Sequence, residues 1–215
     1  MSDTLFTCAK CGSKSCTSAD KAHPEGCVSI IAQEGDIAAE ALKEYEADPQ
    51  NLAIALASAS VEAEYYCKAP RAEEIVRFAR KMNYKKIGIA TCIGLIEETR
   101  IFAKILEAAG LVPYGAACKV GGVDKVQIGV PEDGKLKPGG FEAMCNPILQ
   151  AKLLNNEKTD LNVVVGLCVG HDSLFNKYSE APVTTLIVKD RVLAHNPAGA
   201  LYTLGSYNKR LLELT

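Results

Sequence analysis

The stretch KIGIAT at residues 86–91 decides the fold of this chain. It is short and apolar, which indicates a buried β-strand. Residues 95–109 then repeat apolar side chains at helical spacing and stop at Gly110, which indicates an amphipathic helix with a glycine at its end. A strand followed at once by such a helix is the first part of a βαβ unit, so a parallel sheet is expected.

The same alternation of strands and helices continues to the C-terminus. Asn146 and Pro147 are typical of a helix N-cap and first helical residue. Further strands are predicted at 111–117, 161–167 and 183–188, with a short one near 126–130, and further helices at 146–155, from Asp172 and from about Ala198. Residues 85–215 are therefore predicted to form a Rossmann-like α/β domain with a parallel sheet.

Two smaller segments are expected before this domain. Residues 1–28 are rich in cysteine, serine and lysine and have few apolar residues, so they are predicted to form a small cysteine-rich module. Residues 29–84 have the composition of helices, with three helices predicted at roughly 29–47, 50–66 and 70–82. The predicted fold class is thus α/β, a Rossmann-like parallel sheet preceded by a cysteine-rich module and a short helical segment.

The composition and net charge limit the classes of partner that can be expected. The chain has 215 residues, of which 48% are hydrophobic and 23% charged, as is usual for a globular protein with a core. The net charge of −2 gives no general attraction to nucleic acid or to anionic membranes, so neither is expected as a partner. The longest apolar run, residues 87–96, is shorter than the ~20 residues of a spanning helix. Without a recognisable secretory signal, a cytoplasmic location is expected.

Nine cysteines are many for a cytoplasmic protein. An odd number of cysteines in a reducing compartment argues against a closed set of disulfides. Metal binding or thiol chemistry is the better expectation, so the hypotheses about function depend mainly on the cysteines.

The first group of cysteines has the spacing C-x2-C-x4-C-x10-C, formed by Cys8, Cys11, Cys16 and Cys27. A CxxC turn presents two sulfurs to one metal, and two further cysteines complete four ligands. The alternative, four unrelated buried thiols, is disfavoured because the segment has almost no core. Residues 8–16 are similar to the C-x2-C-x4-C segments that ligate a [4Fe–4S] cluster in carbon monoxide dehydrogenases, so iron–sulfur is preferred to zinc.

The second group consists of Cys92, Cys118, Cys145 and Cys168, which lie 26, 27 and 23 positions apart. Three of them come at or just after the ends of predicted strands, and Cys145 precedes a predicted helix. Ligands in open parallel sheets collect beyond the carboxyl ends of the strands, so the four sulfurs are expected to face one crevice. For a shared [4Fe–4S] cluster they would lie on the order of 6–7 Å apart.

Two histidines are expected near the second group. His171 follows Cys168 by three positions, and His195 follows the last predicted strand. Either could act as an extra metal ligand or a proton donor. Two alternatives to a metal site stay open: a thiol enzyme that uses Cys92 or Cys145 with His171, and ordinary packing of small side chains.

Several long motifs are similar to those of one family. They are the four-cysteine start and the strings GIATCIGL at 88–95, CKVGG at 118–122, FEAMCNP at 141–147, GLCVGHD at 166–172 and KDRVL at 189–193 followed by HNP at 195–197. On these residues the chain is identified as a member of domain-of-unknown-function family 1847, whose proteins are often described only as metal-binding. The resemblance implies a metal site and no particular reaction. A weaker likeness in layout extends to carbon monoxide dehydrogenases and hybrid-cluster proteins.

Three functions follow as hypotheses. The first is an iron–sulfur redox protein, with one [4Fe–4S] cluster in the N-terminal module and a second metal or cluster at the sheet edge. The second is a zinc protein whose N-terminal module is a structural or docking element, and the third is a thiol-dependent enzyme. For the first, the expected partner is a redox protein or a small molecule, and a homo-oligomer is compatible with the sequence.

Overall fold

The computed structural model describes residues 7–214, and these divide between two compact units, Met1–Ser60 and Val61–Thr215. The first unit contains two single turns of 3-10 helix, Cys8–Lys10 and Ser15–Thr17. Its α-helices are α1 at Val28–Glu34, α2 at Ile37–Ala47 and α3 at Pro49–Tyr65, whose last residues belong to the second unit.

The single helix predicted at 29–47 is wrong, because the chain breaks there into α1 and α2. Gly35 ends α1 by donating its backbone N–H to the carbonyl of Ile31 at 3.0 Å. Asp36 then takes a left-handed conformation with φ of 58°. A residue in that conformation cannot continue a right-handed helix, so a new helix starts after it.

The second unit is an α/β domain. Its helices are α4 at Arg71–Lys81, α5 at Ile96–Ala108, α6 at Pro147–Asn156, α7 at His171–Tyr178 and α8 at Ala198–Tyr202. Its strands are β1 at Lys86–Thr91, β2 at Val112–Ala117, β3 at Leu161–Val165 and β4 at Val183–Ile187. The four strands pair in the order β2-β1-β3-β4 and are all parallel. The predicted Rossmann-like α/β fold is confirmed.

The sheet is covered on both faces, which explains its almost wholly apolar central strands. One core cluster joins α4 and α5 to one face, and it includes Ile87, Ile89 and Phe102. The other joins α6 and α7 to the opposite face, and it includes Ala90 and Phe175. Side chains alternate along a strand, so successive residues of β1 serve the two clusters in turn.

Two predicted elements differ in the structure. The strand predicted near 126–130 is wrong, because Lys125–Ile128 forms a turn of 3-10 helix that the Asp124 carboxylate caps at the Val126 N–H. The Val126 N–H thus donates to a side chain of the same segment and not to a neighbouring strand. The last helix is only Ala198–Tyr202, and a separate 3-10 turn follows at Lys209–Leu212. Within residues 7–214, no helix has the length and apolar character that crossing a membrane requires.

Candidate functional site

The carboxyl ends of β1 and β3 define the site. The connection after β1 leads to β2 on one side of this pair, and the connection after β3 leads to β4 on the other side. The two connections therefore run in opposite directions along the sheet. Such a switch point leaves a crevice outside the strand ends, where ligands of open α/β folds bind. Cys92 directly follows β1, and Cys168 follows β3 after two residues.

Strand register places Cys92 beside Cys118. Thr91 pairs with Ala117 in the parallel ladder, and the Cys118 N–H donates to the Thr91 carbonyl at 2.8 Å. The next residue of each strand is therefore a cysteine, and both side chains are buried on the face that α6 covers. The Ile93 N–H lies 3.3 Å from the Cys118 sulfur and donates to it.

Cys145 reaches the same place through a closed loop. The segment between β2 and α6 returns on itself in an antiparallel bridge between Asp124 and Ala143. Beside it, the Met144 N–H donates to the Val123 carbonyl at 2.8 Å. This long connection is consequently an ordered loop whose end delivers Cys145 next to Cys118.

The thiols of Cys118 and Cys145 are joined by a hydrogen bond. As acceptor in this bond, Cys145 has its pKa lowered to about 5; the nearby charges of Lys119 and His171 act in the same direction, and burial opposes them. The bond and then burial raise the pKa of Cys118. In this pair, Cys145 therefore loses its proton more readily than Cys118.

Cys168 is held by a cation. Arg191, which follows β4, places its Nη2 at 3.0 Å from the Cys168 sulfur. This hydrogen bond raises the pKa of the Arg191 guanidinium, and the sulfurs of Cys92 and Cys145 are close enough to contribute to the same effect. Arg191 therefore links Cys168 electrostatically to the other members of the cluster.

Two lysines add to the positive charge around the sulfurs. Lys119 donates its ammonium to the Ala143 carbonyl and interacts with the Cys145 side chain. Lys189 lies near Cys92, because a Cβ on Gly94 would stand 4.0 Å from both the Cys92 sulfur and the Lys189 Nζ. Cations close to sulfurs favour their thiolate forms.

A buried amide supports the cysteine-bearing strands from below. Gln150 in α6 is fully buried, and its Nε2 donates to the carbonyl of Thr91 at 3.1 Å and to that of Ala116 at 2.7 Å. These carbonyls lie one residue before Cys92 and two before Cys118. Gln150 therefore ties the carboxyl ends of β1 and β2 to the helix that follows Cys145.

The two candidate histidines have different surroundings. His171 is half-buried as the first residue of α7, its N–H donates to the Cys168 carbonyl at 2.9 Å, and its ring is near Cys145. His195 accepts a hydrogen bond at Nδ1 from the Asp190 N–H at 3.2 Å, with a backbone φ of 64°. Its ring therefore closes the turn at 190–195, and its role as a metal ligand stays a prediction.

The N-terminal cysteines lie in the first unit. Cys8 and Cys16 are exposed, Cys11 is half-buried, and Cys27 is buried just before α1. The Nδ1 of half-buried His23 lies 3.9 Å from the Cys27 sulfur, so a histidine contacts one cysteine of this group. A hydrogen bond from the Ser13 hydroxyl lowers the pKa of Cys11. The four-ligand role of these residues stays a prediction.

The sulfurs are not gathered around a single point. Within residues 7–214 no group of three or more cysteine, histidine, aspartate or glutamate side chains is arranged to hold one metal ion. What the structure brings together at the sheet edge is Cys92, Cys118 and Cys145, with Cys168 joined to them through Arg191.

Sequence reasoning missed the basic residues and the amide. Each basic residue follows the end of a strand, Lys119 after β2 and Lys189 and Arg191 after β4, and that position was the available signal. Gln150 lies three positions after buried Pro147, so helical spacing alone places it on the buried face of α6. A polar side chain on an apolar helix face was its signal.

Comparison with known proteins agrees with the earlier resemblance. The model of a family described as a protein of unknown function, DUF1847, matches residues 27–186. An uncharacterised protein of Methanocaldococcus jannaschii is 56% identical over 178 residues, which cover 83% of this chain and 89% of the relative. The matched range includes all the sheet-edge cysteines. The chain belongs to the DUF1847 family.

Proposed function

We propose that this chain is a metal-cofactor protein whose centre is the cysteine cluster at the carboxyl edge of the sheet. The observation that supports the proposal is the position of four cysteines, after three strands and one long loop, along the same carboxyl edge of the sheet. Separate chain segments that each supply one thiol are the usual way in which a fold surrounds a metal or cluster with soft ligands.

The donor set fits such a cofactor. Cys92 and Cys118 are buried, Cys145 and Cys168 are half-buried, and thiolates are the preferred ligands of iron–sulfur clusters and zinc. One member, Cys145, has its pKa lowered to about 5, first by the hydrogen bond from Cys118, which favours its thiolate form. Ligand thiols must lose their protons to bind metal, so this arrangement reduces the cost of loading.

An iron–sulfur cluster is the preferred cofactor and zinc the alternative. The preference rests on the similarity of the N-terminal spacing to cluster-binding segments. A bound cluster would supply one-electron chemistry, which makes a redox partner part of the proposal.

The surrounding residues have definable tasks in that case. The Ile93 N–H donates to the Cys118 sulfur, and the Arg191 guanidinium donates to the Cys168 sulfur. Hydrogen bonds to ligand sulfurs stabilise the more reduced, more negative state and raise the reduction potential. His171, half-buried beside Cys145, is the histidine nearest to this centre and the candidate for an extra ligand.

Anaerobic purification of the full chain tests the proposal. We expect absorbance near ~400 nm together with iron and acid-labile sulfide, whereas zinc thiolates are colourless there. Cys118→Ser and Cys145→Ser should remove the sheet-edge metal, and the matched control Cys67→Ser, at an exposed cysteine of the same unit, should not. Unchanged metal content in Ser variants of all four sheet-edge cysteines would refute the site.

A second function has one specific observation in its favour, the pairing of Cys118 with Cys145, in which their hydrogen bond raises the pKa of Cys118 and lowers that of Cys145. With a disulfide as substrate, the Cys145 thiolate would attack one sulfur, form a mixed disulfide and release the other as a thiolate. Cys118, after loss of its proton, would then displace the second substrate thiol and leave a Cys118–Cys145 disulfide. The substrate gains the two electrons that the pair loses.

The two functions predict different behaviour of metal-free protein. A dithiol enzyme would consume a small disulfide such as cystine, one molecule per chain, and gain a Cys118–Cys145 crosslink detectable by mass spectrometry. A metal site would show metal-dependent absorbance and no stoichiometric turnover of the disulfide. Cys118→Ser would stop the first reaction at the mixed disulfide.

A further inference from the structure

The basic residues around the sulfurs form a second feature of the site. Lys119, Lys189 and Arg191 come from the ends of β2 and β4 and converge on the cysteines. None of the salt bridges within the described part of the chain involves any of the three. Among residues 7–214, then, no carboxylate lies within salt-bridge distance of any of these three cations.

The sulfurs do not balance this charge either. A [4Fe–4S] cluster with four thiolates carries about two negative charges in its oxidised form. The three cations outnumber the charges of such a cluster, and a crevice with low-dielectric walls concentrates anions.

Two of the basic residues have donors that are not used within the site. Lys189 lies close to Cys92, because the position that a Cβ of Gly94 would take is 4.0 Å from both the Cys92 sulfur and the Lys189 Nζ. Lys189 makes no hydrogen bond to another residue of the range 7–214, so its three donors are available. Arg191 is exposed and uses one Nη2 donor on Cys168, which leaves further donors of its planar group.

We propose that the sheet-edge site binds a small anionic substrate, an oxyanion or a carboxylate, between Lys189 and Arg191 and next to Cys92. Lys119 adds its charge from the opposite side of the cluster. This inference rests on the sheet-edge centre proposed above and names its class of substrate. Anion binding requires only the cations and the adjacent sulfurs, so it can be tested independently of the metal.

Paired alkylating probes test this inference on the full chain, as purified and after chelation with EDTA under reducing conditions. Iodoacetate is anionic and iodoacetamide is neutral, and mass spectrometry reports the modification rate of each cysteine. We expect the iodoacetate-to-iodoacetamide ratio at Cys92 and Cys145 to exceed that at exposed Cys67 by at least about tenfold. Lys189→Met with Arg191→Met should remove most of this preference, whereas Lys104→Met on the exposed face of α5 should leave it.

The same assay identifies the ligand class and its seat. Acetate or inorganic phosphate, added as a competitor, should slow iodoacetate at these cysteines at millimolar concentration, and the more effective of the two names the class. Gly94→Leu should place a bulky side chain against the Cys92 sulfur and the Lys189 Nζ, and the competing anion should then no longer slow iodoacetate. The iodoacetamide rate serves as the folding control for every variant.

Three results would overturn the inference: a ratio equal to that of Cys67, a ratio unaffected by the double substitution, or no protection by either anion. Metal analysis of the same preparations keeps the two ideas apart. Metal without anion preference would contradict only this inference, and anion preference without metal would contradict only the proposed cofactor.

Discussion

The backbone N–H of Asn146 donates to the carbonyl of Cys118 at 2.7 Å, although the two residues lie far apart in the chain. The bond fixes the residue before Asn146, Cys145, against the end of β2. The Asn146 side chain, in turn, caps α6 by accepting from the Leu149 N–H at 3.0 Å. One residue thus anchors a cysteine on one side and starts a helix on the other.

Removing this cap should cost stability without removing the backbone bond. Asn146→Ala loses the acceptor for the Leu149 N–H, and we expect a loss of about 1 kcal/mol in the free energy of unfolding. Asn146→Asp keeps an acceptor oxygen and should stay close to the parent. Urea denaturation measures both, and an alanine variant as stable as the aspartate variant would argue against the cap.

The reactivity of Cys145 should report its thiolate. Its pKa is lowered to about 5, first by the hydrogen bond from Cys118 and then by the charges of Lys119 and His171. In metal-free protein, its rate with iodoacetamide should be half-maximal near pH 5 and level above pH ~6. The rate of a free thiol in solution, such as glutathione, should keep rising toward pH ~8.5. Coincident profiles for Cys145 and the free thiol would contradict the assignment.

The lowered pKa of Cys145 also makes the stability of the folded chain depend on pH. Above pH 5, Cys145 is ionised in the folded chain, whereas in the unfolded chain it keeps its proton up to about pH 8.5. The unfolded state binds more protons between pH 5 and about pH 8.5. The contribution of Cys145 to the free energy of unfolding therefore grows as the pH rises through this range and is lost as the pH falls through 5.

Cys118→Ala removes the hydrogen-bond donor to Cys145, so it should move the pH midpoint of the Cys145 reaction with iodoacetamide upward.

Gln150 should be more important for the strand ends than its position in a helix suggests. Gln150→Met removes both hydrogen bonds to the β1 and β2 carbonyls, and a cost of about 1–3 kcal/mol is expected. The Oε1 atom has no hydrogen-bond partner among the described residues, so methionine also relieves one unpaired acceptor. Gln150→Glu should destabilise more, because it sets a carboxylate against carbonyl oxygens. Equal urea midpoints for the two variants would contradict this.

Two glycines on adjacent strands form a matched pair. A Cβ on Gly88 in β1 would lie 2.0 Å from the Asn162 Oδ1 and 2.8 Å from a Leu154 methyl carbon, whereas a Cβ on Gly115 in β2 meets nothing within 4 Å. Gly88→Ala should therefore cost about 2–3 kcal/mol or prevent folding, as overpacking does. Gly115→Ala should change the stability by less than about 1 kcal/mol. Thermal unfolding compares them, and equal melting temperatures would refute the close approach.

The N-terminal module offers an independent test. If metal holds residues 8–27 together, Cys8→Ser with Cys11→Ser should release it and make this segment sensitive to protease, because a small module without a core depends on its ligands. The α/β domain, with its own core, should stay intact. A double variant that resists proteolysis in the segment as well as the parent would show that metal does not stabilise it.

Much of this architecture was readable from the chain itself. The apolar stretch at 86–91, the Asn146-Pro147 start of α6 and the apolar residues of β3 predicted their elements because each is a local pattern that the tertiary structure reinforces. The break at Gly35–Asp36 was missed because the helical pattern runs through it, and one left-handed residue is enough to end a helix.

For the site, the sequence by itself determined which residues stand at the strand ends, since a parallel sheet sends every carboxyl end to one edge. Only the tertiary structure decided how they meet. The β1–β2 register set Cys92 beside Cys118, and the loop bridge brought Cys145 into contact with Cys118. The placement of Arg191 against Cys168 likewise depends on a strand that is distant in sequence. Contacts between residues this far apart arise from the packing of whole elements, and no local pattern encodes them.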